Sequence, residues 1–403
     1  MRILYLADVR FPLERANGIQ TFHTCHALAA RGHQVTLFVR PDTAHPSRDP
    51  FVFYGLPPAP GLRVSRAPAV AAPTARRAIY VASALSKAAG SRAADAVFTR
   101  DLGIAAMLTR LPRGVRPPVV YEAHGFAPVV AGAMGDLLSD GRNATTSKQR
   151  RLAARERRVW TRAEGYVAIT QALADEMTER FGARACLAVV PDGVRLPAIR
   201  PAPAAPGTAI VGYAGHLYPW KGVDGLLASL AELPGVRGLI VGGLEGEPDL
   251  ERLQRRAAEL CVNDRVEFTG RVAPFEVAGH LHRATVLVLP NTATHLSSHY
   301  TSPLKLFEYM AAARPIVASN LPSLREVLRD GDNALLVPAG DAPALANAVR
   351  RLLDDGALAA RLADAAYRDV AAYSWAERAS ALERVIDAAV AERAAPPAAG
   401  RAR

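Results

Sequence analysis

The chain has 403 residues, 50% of them hydrophobic, so two domains are expected instead of one small core. No apolar run approaches the ~20 residues of a membrane span, and the N-terminal apolar run is too short for a signal peptide. The net charge of +11 suits an anionic ligand, a membrane surface or nucleic acid, and three scattered cysteines predict reduced thiols in a cytoplasmic protein.

Short apolar runs alternate with longer segments of helical period along the whole chain. The predicted strands are 2–7, 35–39, 95–99, 118–122 and 166–169 in the first half, and 208–215, 237–243, 266–270, 286–290, 315–319 and 334–337 in the second. Runs of this length with helices between them predict parallel βαβ sheets. We therefore expect two doubly wound α/β domains that face a central cleft and bind ligands at the carboxyl ends of their strands.

Composition predicts the domain boundaries. A Pro- and Ala-rich stretch without periodicity, residues 195–207, indicates a linker between an N-terminal domain over 1–194 and a C-terminal domain over 208–372. A final helix is predicted over 373–393, returning to the N-terminal domain, and a disordered tail over 394–403.

Two loops in the first half carry candidate site residues. Gly18 lies where the first loop enters a helix, and a glycine there lets the backbone come close to an anion held by the helix start. Asn17-Gly18 is also typical of an ordinary turn. His124, in the sequence YEAHG, comes just past a strand, where it either contacts a ligand or is satisfied within the turn.

The second half opens with a glycine-flanked loop directly after a strand, YAGHLYPWKG over 213–222. Gly215, His216, Lys221 and the adjoining glycine place two candidate cations where a phosphate would need donors.

The segment SPLKLFEYM, residues 302–310, predicts a helix with Ser302 as its cap and Pro303 at its first position. Lys305 and Glu308 are three apart and share a face near the helix start. Free N–H groups with Lys305 suit a pyrophosphate, and Glu308 suits the vicinal hydroxyls of a ribose. As an i,i+3 ion pair on the helix surface, the two charges would contribute only ~0.3 kcal/mol.

These motifs resemble those of the retaining GT-B glycosyltransferases of family 4 (glycosyl transferases group 1). The resemblance rests on GHLYPWKG, SPLKLFEYMAAARPIVAS and LREVLRDGDNALLVPAGD, and on NGIQ, ALAARGHQVTL, AHG and VVPDGV before them. It implies two Rossmann-like domains, the first for the acceptor and the second for the nucleotide sugar. It also implies transfer of a hexosyl group from a UDP- or GDP-linked donor to a hydroxyl acceptor, with no cofactor besides that co-substrate and no metal.

The resemblance also implies roles for matching residues. Gly18 would approach the donor phosphate or the acceptor, His124 the transferred sugar, and Val272 the base. Lys221, with His216 where relatives often carry an arginine, would neutralise the leaving diphosphate. The implied catalytic residues are His124, Lys221 and Glu308, and the implied donor-binding residues are Gly18, Gly215, His216, Lys221, Val272, Tyr300, Ser302, Leu304, Lys305 and Glu308.

One departure concerns the donor sugar. The family's paired glutamates lie eight apart, and Tyr300 stands where the partner of Glu308 is expected. The segment HLSSHYT is expected to replace the missing glutamate, with His299 or Tyr300 as the contact.

The expected mechanism follows from charge. Fixed amides and Lys221 would stabilise the leaving diphosphate without a metal. Attack is expected on the same face, with the leaving phosphate taking the acceptor's proton, because the sequence offers no well-placed pair of carboxylates for double displacement.

The acceptor, whether glycan, lipid-linked or small molecule, stays open. Residues 142–162 carry eight Lys/Arg against one acid, Glu156. They predict either peripheral contact with the inner face of a membrane or a solvated helix face.

The alternative functions are a GT-B-fold sugar-nucleotide epimerase or phosphorylase and, more distantly, a basic nucleic-acid-binding protein. A GT-B sugar-nucleotide epimerase would need acid/base carboxylates in the cleft, and a phosphorylase would need a lysine for pyridoxal phosphate. A nucleic-acid-binding protein would interleave aromatics with its basic residues, but aromatics make up only 6% of the chain, so no nucleic-acid partner is expected.

Overall fold

The computed structural model describes residues 1–43, 48–70, 72–89, 94–137, 143–243 and 246–394. Apart from Ala394, the predicted tail over 394–403 lies outside these described residues, as does Arg142 of the basic segment. The chain forms two compact units. The first comprises Met1–Val130, Thr145–Pro191 and Trp375–Arg403, and the second comprises Ala131–Ala144 and Asp192–Ser374. The sequence had placed the segment Ala131–Ala144 in the first domain.

Each unit is built on one parallel sheet. The strands of the first are β1 (Arg2–Phe11), β2 (Gln34–Pro41), β3 (Leu62–Arg66), β4 (Ala96–Thr99), β5 (Val119–Ala123), β6 (Gly165–Ala168) and β7 (Leu187–Val189). Those of the second are β8 (Ile210–Ala214), β9 (Arg237–Val241), β10 (Val266–Gly270), β11 (Val286–Leu289), β12 (Ile316–Ser319) and β13 (Leu335–Val337). The strand orders are β3-β2-β1-β4-β5-β6-β7 and β10-β9-β8-β11-β12-β13. All eleven predicted strands are confirmed; β3 and β7, the edge strands of the first sheet, were missed.

The helices connect these strands. They are α1 (Ala16–Ala30), α2 (Pro50–Tyr54), α3 (Pro73–Ala89), α4 (Leu102–Leu108), α5 (Ala127–Leu137), α6 (Thr146–Arg162), α7 (Gln171–Phe181), α8 (Val223–Ala231), α9 (Pro248–Glu259), α10 (Val277–Arg283), α11 (His295–His299), α12 (Leu304–Ala311), α13 (Pro322–Arg325), α14 (Ala342–Asp354), α15 (Gly356–Asp369) and α16 (Trp375–Ala394). None of the helices in the described ranges has both the length and the apolar character that crossing a bilayer requires.

The central strands are buried on both faces because helices cover both sides of each sheet. In the second unit, Val286 and Val288 of β11 belong to one core cluster, while Leu287 and Leu289 belong to the cluster on the other face. This alternation follows the period-2 geometry of a strand. It explains why these strands appear in the sequence as continuous apolar runs.

Arginine side chains fix the position of two segments, the last helix and the stretch over residues 195–207. The last helix, α16, packs against α1, β5 and β6 of the first unit, with Arg378 buried in that contact. Residues 195–207 form no helix or strand, but Arg314 donates to the Ala202 carbonyl at 2.8 Å and Arg200 pairs with Asp364. Cys25, Cys186 and Cys261 form no disulfide.

Candidate active site

The candidate donor site of the second unit lies at the carboxyl ends of β8 and β11. These strands pair in parallel, with Leu287 beside Gly212. The loops that follow them, residues 215–222 and 290–303, therefore leave the sheet at the same edge. Helix α12 begins at that edge as well, because it connects the loop after β11 to the start of β12.

Lys305 is held in this site by a short chain of hydrogen bonds. It is buried, and its Nζ donates to the Tyr213 hydroxyl at 2.7 Å while lying 3.9 Å from the centre of that ring. The Tyr213 hydroxyl donates in turn to the His216 carbonyl at 2.6 Å. Gly215 has a φ of +137°, and a Cβ there would come within 3.2 Å of Lys305 Nζ. The structure thus brings Gly215, the His216 carbonyl and Lys305 together, and their contact with a donor remains a prediction.

Three ionisable side chains in the site have strongly shifted pKa values. Burial lowers the pKa of Lys221 to about 7. It also lowers the pKa of Lys305 well below its ordinary value, with the nearby charge of Lys221 adding to the effect and Glu308 opposing it. Burial raises the pKa of Glu308 to about 7, against the attraction of Lys305.

Lys305 and Glu308 form no ion pair within the described residues, so the predicted alternative of a helix-surface pair is not found. Instead, Lys221 and Lys305 lie near one another in a site with little access to solvent, and too little negative charge surrounds them to balance both amines. Such an arrangement favours binding of an anion, which would restore the charged form of both amines.

The turn that carries Lys221 is fixed against the loop after β11. Gly222 adopts the left-handed conformation, with φ of +75°, and any Cβ there would overlap the Pro290 carbonyl oxygen. Thr292 also donates its backbone N–H to the Trp220 carbonyl at 3.1 Å. Lys221 Nζ lies over the Trp220 ring, 3.5 Å from its centre.

The start of α12 differs from the prediction. The helix begins at Leu304, with Pro303 in the cap position at φ −81° and ψ 123° and no side-chain cap. The prediction that Ser302 caps this helix was wrong, because its hydroxyl instead accepts a hydrogen bond from the Asp192 N–H at 2.9 Å. The N–H groups of Leu304 and Lys305 have no hydrogen-bond partner among the described residues, as expected for a helix start.

Tyr300, which stands in place of the family glutamate, is buried. Its hydroxyl lies 3.1 Å from His295 Nε2, and His295 stacks on His299 with ring centres 4.3 Å apart. Val272 packs on the core of its own unit. Contacts of Tyr300, His299 and Val272 with a donor remain predictions.

Gly18 of the first unit is explained by packing. It lies in the first turn of α1, and a Cβ there would overlap the Leu13 carbonyl and come within 2.8 Å of the Tyr54 hydroxyl. That hydroxyl both donates to the Leu13 carbonyl and accepts from its N–H. The glycine therefore permits this loop to close on α1, and its approach to a ligand remains a prediction.

His124 is oriented by a buried carboxylate. Its Nε2 lies 2.6 Å from Glu122 Oε1 at the carboxyl end of β5. Glu122 is fully buried and also accepts from Gln20 at 2.5 Å and from Arg378 of α16. Arg100 donates to Gln20 at 2.8 Å, which extends the network.

Glu122 is a site residue that the sequence-based analysis missed. Burial by itself raises its pKa, but the charges of Arg378, His124 and Arg100 outweigh that effect and hold the pKa below its ordinary value. It is therefore an ionised group that fixes the ring of His124. A carboxylate in the apolar strand VVYEA was the available signal, since buried charges are rare unless paired. Arg378 could not have been found, because it lies 256 residues away in the chain.

Comparisons with known proteins agree with this architecture. A model described as Glycosyl transferase 4-like domain matches residues 17–193, and one described as Glycosyl transferases group 1 matches residues 208–355. A D-inositol 3-phosphate glycosyltransferase of Streptomyces avermitilis is 30% identical over 294 residues, covering 68% of this chain and 61% of the relative. The match thus spans about three fifths of that relative's length.

Solved structures share the fold at low sequence identity. Sucrose-phosphate synthase from Thermosynechococcus elongatus superposes with a TM-score of 0.77 and 22% identity, over 97% of this chain and 99% of the other. Anabaena HepE in complex with UDP superposes with a TM-score of 0.69 and 19% sequence identity, over 96% of this chain and 100% of the other. With both family models matched in chain order and a doubly wound parallel sheet in each unit, the chain belongs to the glycosyl transferases group 1 family and has the GT-B fold.

Proposed function

We propose that the protein transfers a hexosyl group from a UDP- or GDP-linked donor to a hydroxyl acceptor, with retention of configuration. One observation carries the proposal: Lys221 and Lys305 lie near each other, incompletely neutralised, at the start of α12, with Glu308 one turn further on. A diphosphate suits the two amines and the free N–H groups. Glu308 then lies one turn from the phosphates, where a ribose could offer its hydroxyls.

The proposed chemistry follows from where charge develops. As the bond from the sugar to the diphosphate breaks, negative charge grows on the leaving oxygens, and Lys221 with the N–H groups of Leu304 and Lys305 stabilises it. These groups provide the positive charge without a metal or another cofactor. The acceptor hydroxyl attacks from the same face, forms the new bond to the anomeric carbon, and gives its proton to the leaving phosphate.

HepE is described in complex with UDP, and its fold similarity supports a nucleotide sugar as donor. The sugar itself would be contacted by His124 and by the segment with His299 and Tyr300, which takes the place of the missing glutamate. The acceptor class is proposed only as a hydroxyl of a glycan, a lipid-linked or a small molecule. Peripheral contact of α6 with a membrane is compatible with a lipid-linked acceptor.

The test is a thermal-shift panel of UDP, GDP, ADP, TDP and their sugars in EDTA. A ligand at a hundred times its Kd should stabilise the protein by ~2.7 kcal/mol. We expect one nucleotide to stand out and Glu308→Ala or Lys221→Ala to abolish its effect. Glu251→Ala and Lys148→Ala, which change exposed side chains, serve as matched controls. Stabilisation that requires a metal, or that survives Lys221→Ala and Glu308→Ala, would refute the proposed donor site.

A further inference from the structure

The first unit contains a second candidate binding site, at the end of its sheet where the strands begin and away from His124. A pocket of about 540 Å³ is formed where α4 ends, where the turn Arg113–Val115 precedes β5, and where α6 ends. All three lie at the amino ends of strands. His124 follows the carboxyl end of β5, so the length of that strand, about 16 Å for five residues, separates the pocket from it.

Arginine dominates the lining of this pocket. The polar lining residues are Thr109, Arg110, Arg113, Arg116, Thr161 and Arg162. Arg110 and Arg162 are exposed and make no ion pair within the described residues. Both guanidinium groups are therefore available to a ligand, and a guanidinium is the side chain best suited to bind phosphate in a bidentate manner.

The one buried acid beside the pocket is already neutralised. Glu164 is fully buried and accepts from Arg116 at 2.8 and 3.2 Å, from Arg393 at 2.7 Å and from the Val119 N–H at 2.9 Å. Arg113 lies 3.4 Å from the same carboxylate and 3.9 Å from Glu392. The surroundings of the pocket thus hold more arginines than carboxylates. The buried Arg116–Glu164 pair forms a rigid floor.

The pocket continues into a cationic stripe on α6. Lys148, Arg151, Arg155, Arg158 and Arg162 follow one another at intervals of three or four residues. Such intervals place side chains on one face of a helix. Glu156, the one acid of α6, is buried. The stripe therefore presents positive charge along the helix and ends at Arg162 in the pocket wall.

We propose that this pocket binds a phosphate group, with Arg110 and Arg162 as its principal ligands. The phosphate comes either from the headgroup of an anionic phospholipid or from a free phosphate. The stripe on α6 favours the phospholipid, because it extends the positive charge over a surface wider than one phosphate. This inference goes beyond the proposed sugar transfer and uses none of its residues.

The test compares two double variants with the same change of charge. Arg110→Gln with Arg162→Gln removes the principal ligands, while Arg150→Gln with Arg157→Gln neutralises two arginines elsewhere on α6 as the control. Arg116 is left intact because it neutralises buried Glu164. Binding of inorganic phosphate is measured by calorimetry on wild type, both double variants and Lys221→Ala, which disables the proposed donor site.

We expect the pocket variant to lose tenfold or more in phosphate affinity, on the scale of charged hydrogen bonds. The control variant should keep the wild-type affinity. Lys221→Ala should keep the phosphate binding that depends on Arg110 and Arg162, and lose only phosphate held at the proposed donor site. Absence of phosphate binding, equal loss in the two double variants, or loss confined to Lys221→Ala would each overturn the proposal. In the last case the phosphate occupies the donor site.

Sedimentation with vesicles of phosphatidylglycerol and phosphatidylcholine in equal parts then identifies the source. If vesicle binding needs Arg110 and Arg162, the ligand is a lipid headgroup. If phosphate binds through these arginines while the vesicles stay unbound, the ligand is a free phosphate.

Discussion

Lys221, Lys305 and Glu308 show how single residues create a binding site by leaving a local imbalance of charge. Burial shifts the pKa of each in the direction that favours its neutral form. The attraction between Lys305 and Glu308 opposes this shift in both residues without overcoming it, while the charge of Lys221 adds to the shift of Lys305. An anion is therefore the partner that the proposed donor site requires. In Glu122 the nearby charges prevail over burial: Arg378, His124 and Arg100 hold its pKa below the ordinary value, so the carboxylate stays ionised.

The shifted lysines predict a pH dependence of donor binding. Burial lowers the pKa of Lys221 to about 7, and the negative charge of a bound diphosphate would raise it. Between those two values binding takes up a proton, so affinity for a nucleoside diphosphate should fall as pH rises above 7. If binding takes up one proton, the affinity can fall by at most about tenfold per pH unit, which is ~1.4 kcal/mol of binding free energy.

Calorimetry from pH 6 to pH 9 measures this dependence. Lys221→Arg keeps its charge throughout the range and should flatten the curve, leaving the contributions of Lys305, Glu308 and the ligand itself. A wild-type affinity that is constant or rises with pH would contradict the assigned role of the lysines.

At the scale of elements, the two edge strands of the first sheet form through pairing with a neighbouring strand, although their local sequence does not predict a strand. The edge strand β3, LRVSR, has one buried residue of five and carries two arginines, so it lacks the apolar run that identifies the central strands. Strand β7 has three half-buried residues and is equally inconspicuous. Both form because a neighbouring strand offers unpaired backbone groups.

The turn before α8 depends on glycine. Gly222→Ala would place a Cβ against the Pro290 carbonyl in a backbone conformation with φ of +75°. We expect a loss of stability of about 1–3 kcal/mol, together with weaker nucleotide binding because Lys221 moves. Chemical denaturation and the thermal-shift panel measure the two effects.

Gly225→Ala is the matched control, because Gly225 lies within α8 and a Cβ there meets open space. It should stabilise the protein by about 0.5–1 kcal/mol. Equal effects of the two substitutions would show that the close approach to Pro290 does not matter.

The last helix contributes a charge to the core of the first unit. Arg378→Ala removes the partner of Glu122 and leaves a buried carboxylate without full compensation, at a cost of about 3–5 kcal/mol. It should also reduce the proposed transferase activity more than stability alone explains, because Glu122 orients His124. Arg384→Ala, on the exposed side of the same helix, is the control. A Glu122→Gln, Arg378→Ala double variant should recover part of the lost stability; no recovery would mean that the pair is not coupled.

At the scale of the whole molecule, the two units share a doubly wound plan but differ in their buried charges. The second unit carries Lys221 and Lys305, the lysines of the proposed donor site. The first unit carries Glu156, which is fully buried in α6 and accepts from the Ala127 N–H at 3.3 Å and the Tyr166 hydroxyl at 3.5 Å. No cation is among these partners, and burial raises its pKa to about 8.

Glu156 should therefore make stability depend on pH. Its folded pKa lies above its unfolded value, so the folded protein binds the extra proton and stability falls as pH rises from about 4.5 to about 8. Glu156→Gln stays neutral and should be more stable than wild type at pH 9, by a few kcal/mol. At pH 5 the difference should shrink to about 1 kcal/mol or less.

Urea unfolding at both pH values tests this expectation, with Glu179→Gln, an exposed glutamate of α7, as the control. A constant difference between Glu156→Gln and wild type across the pH range would show that Glu156 does not titrate in this window.

The sequence by itself determined the features that depend on local order. Apolar runs bounded by turns located eleven strands, because a strand covered by helices on both faces is apolar at most of its positions. The loop with Gly215, His216 and Lys221 and the helix with Lys305 and Glu308 were found because each follows a strand, and parallel strands deliver their loops to one edge.

Only the tertiary structure decided the features that depend on distant partners. Ser302 satisfies the helix-cap pattern, but its hydroxyl bonds Asp192, which lies 110 residues away in the chain. Glu122 is ionised because α16 brings Arg378 to it, and the arginine pocket exists because α4 and α6 end at the same edge of the sheet. A carboxylate or a guanidinium acts according to the charges that folding places around it, and a linear pattern does not contain those neighbours.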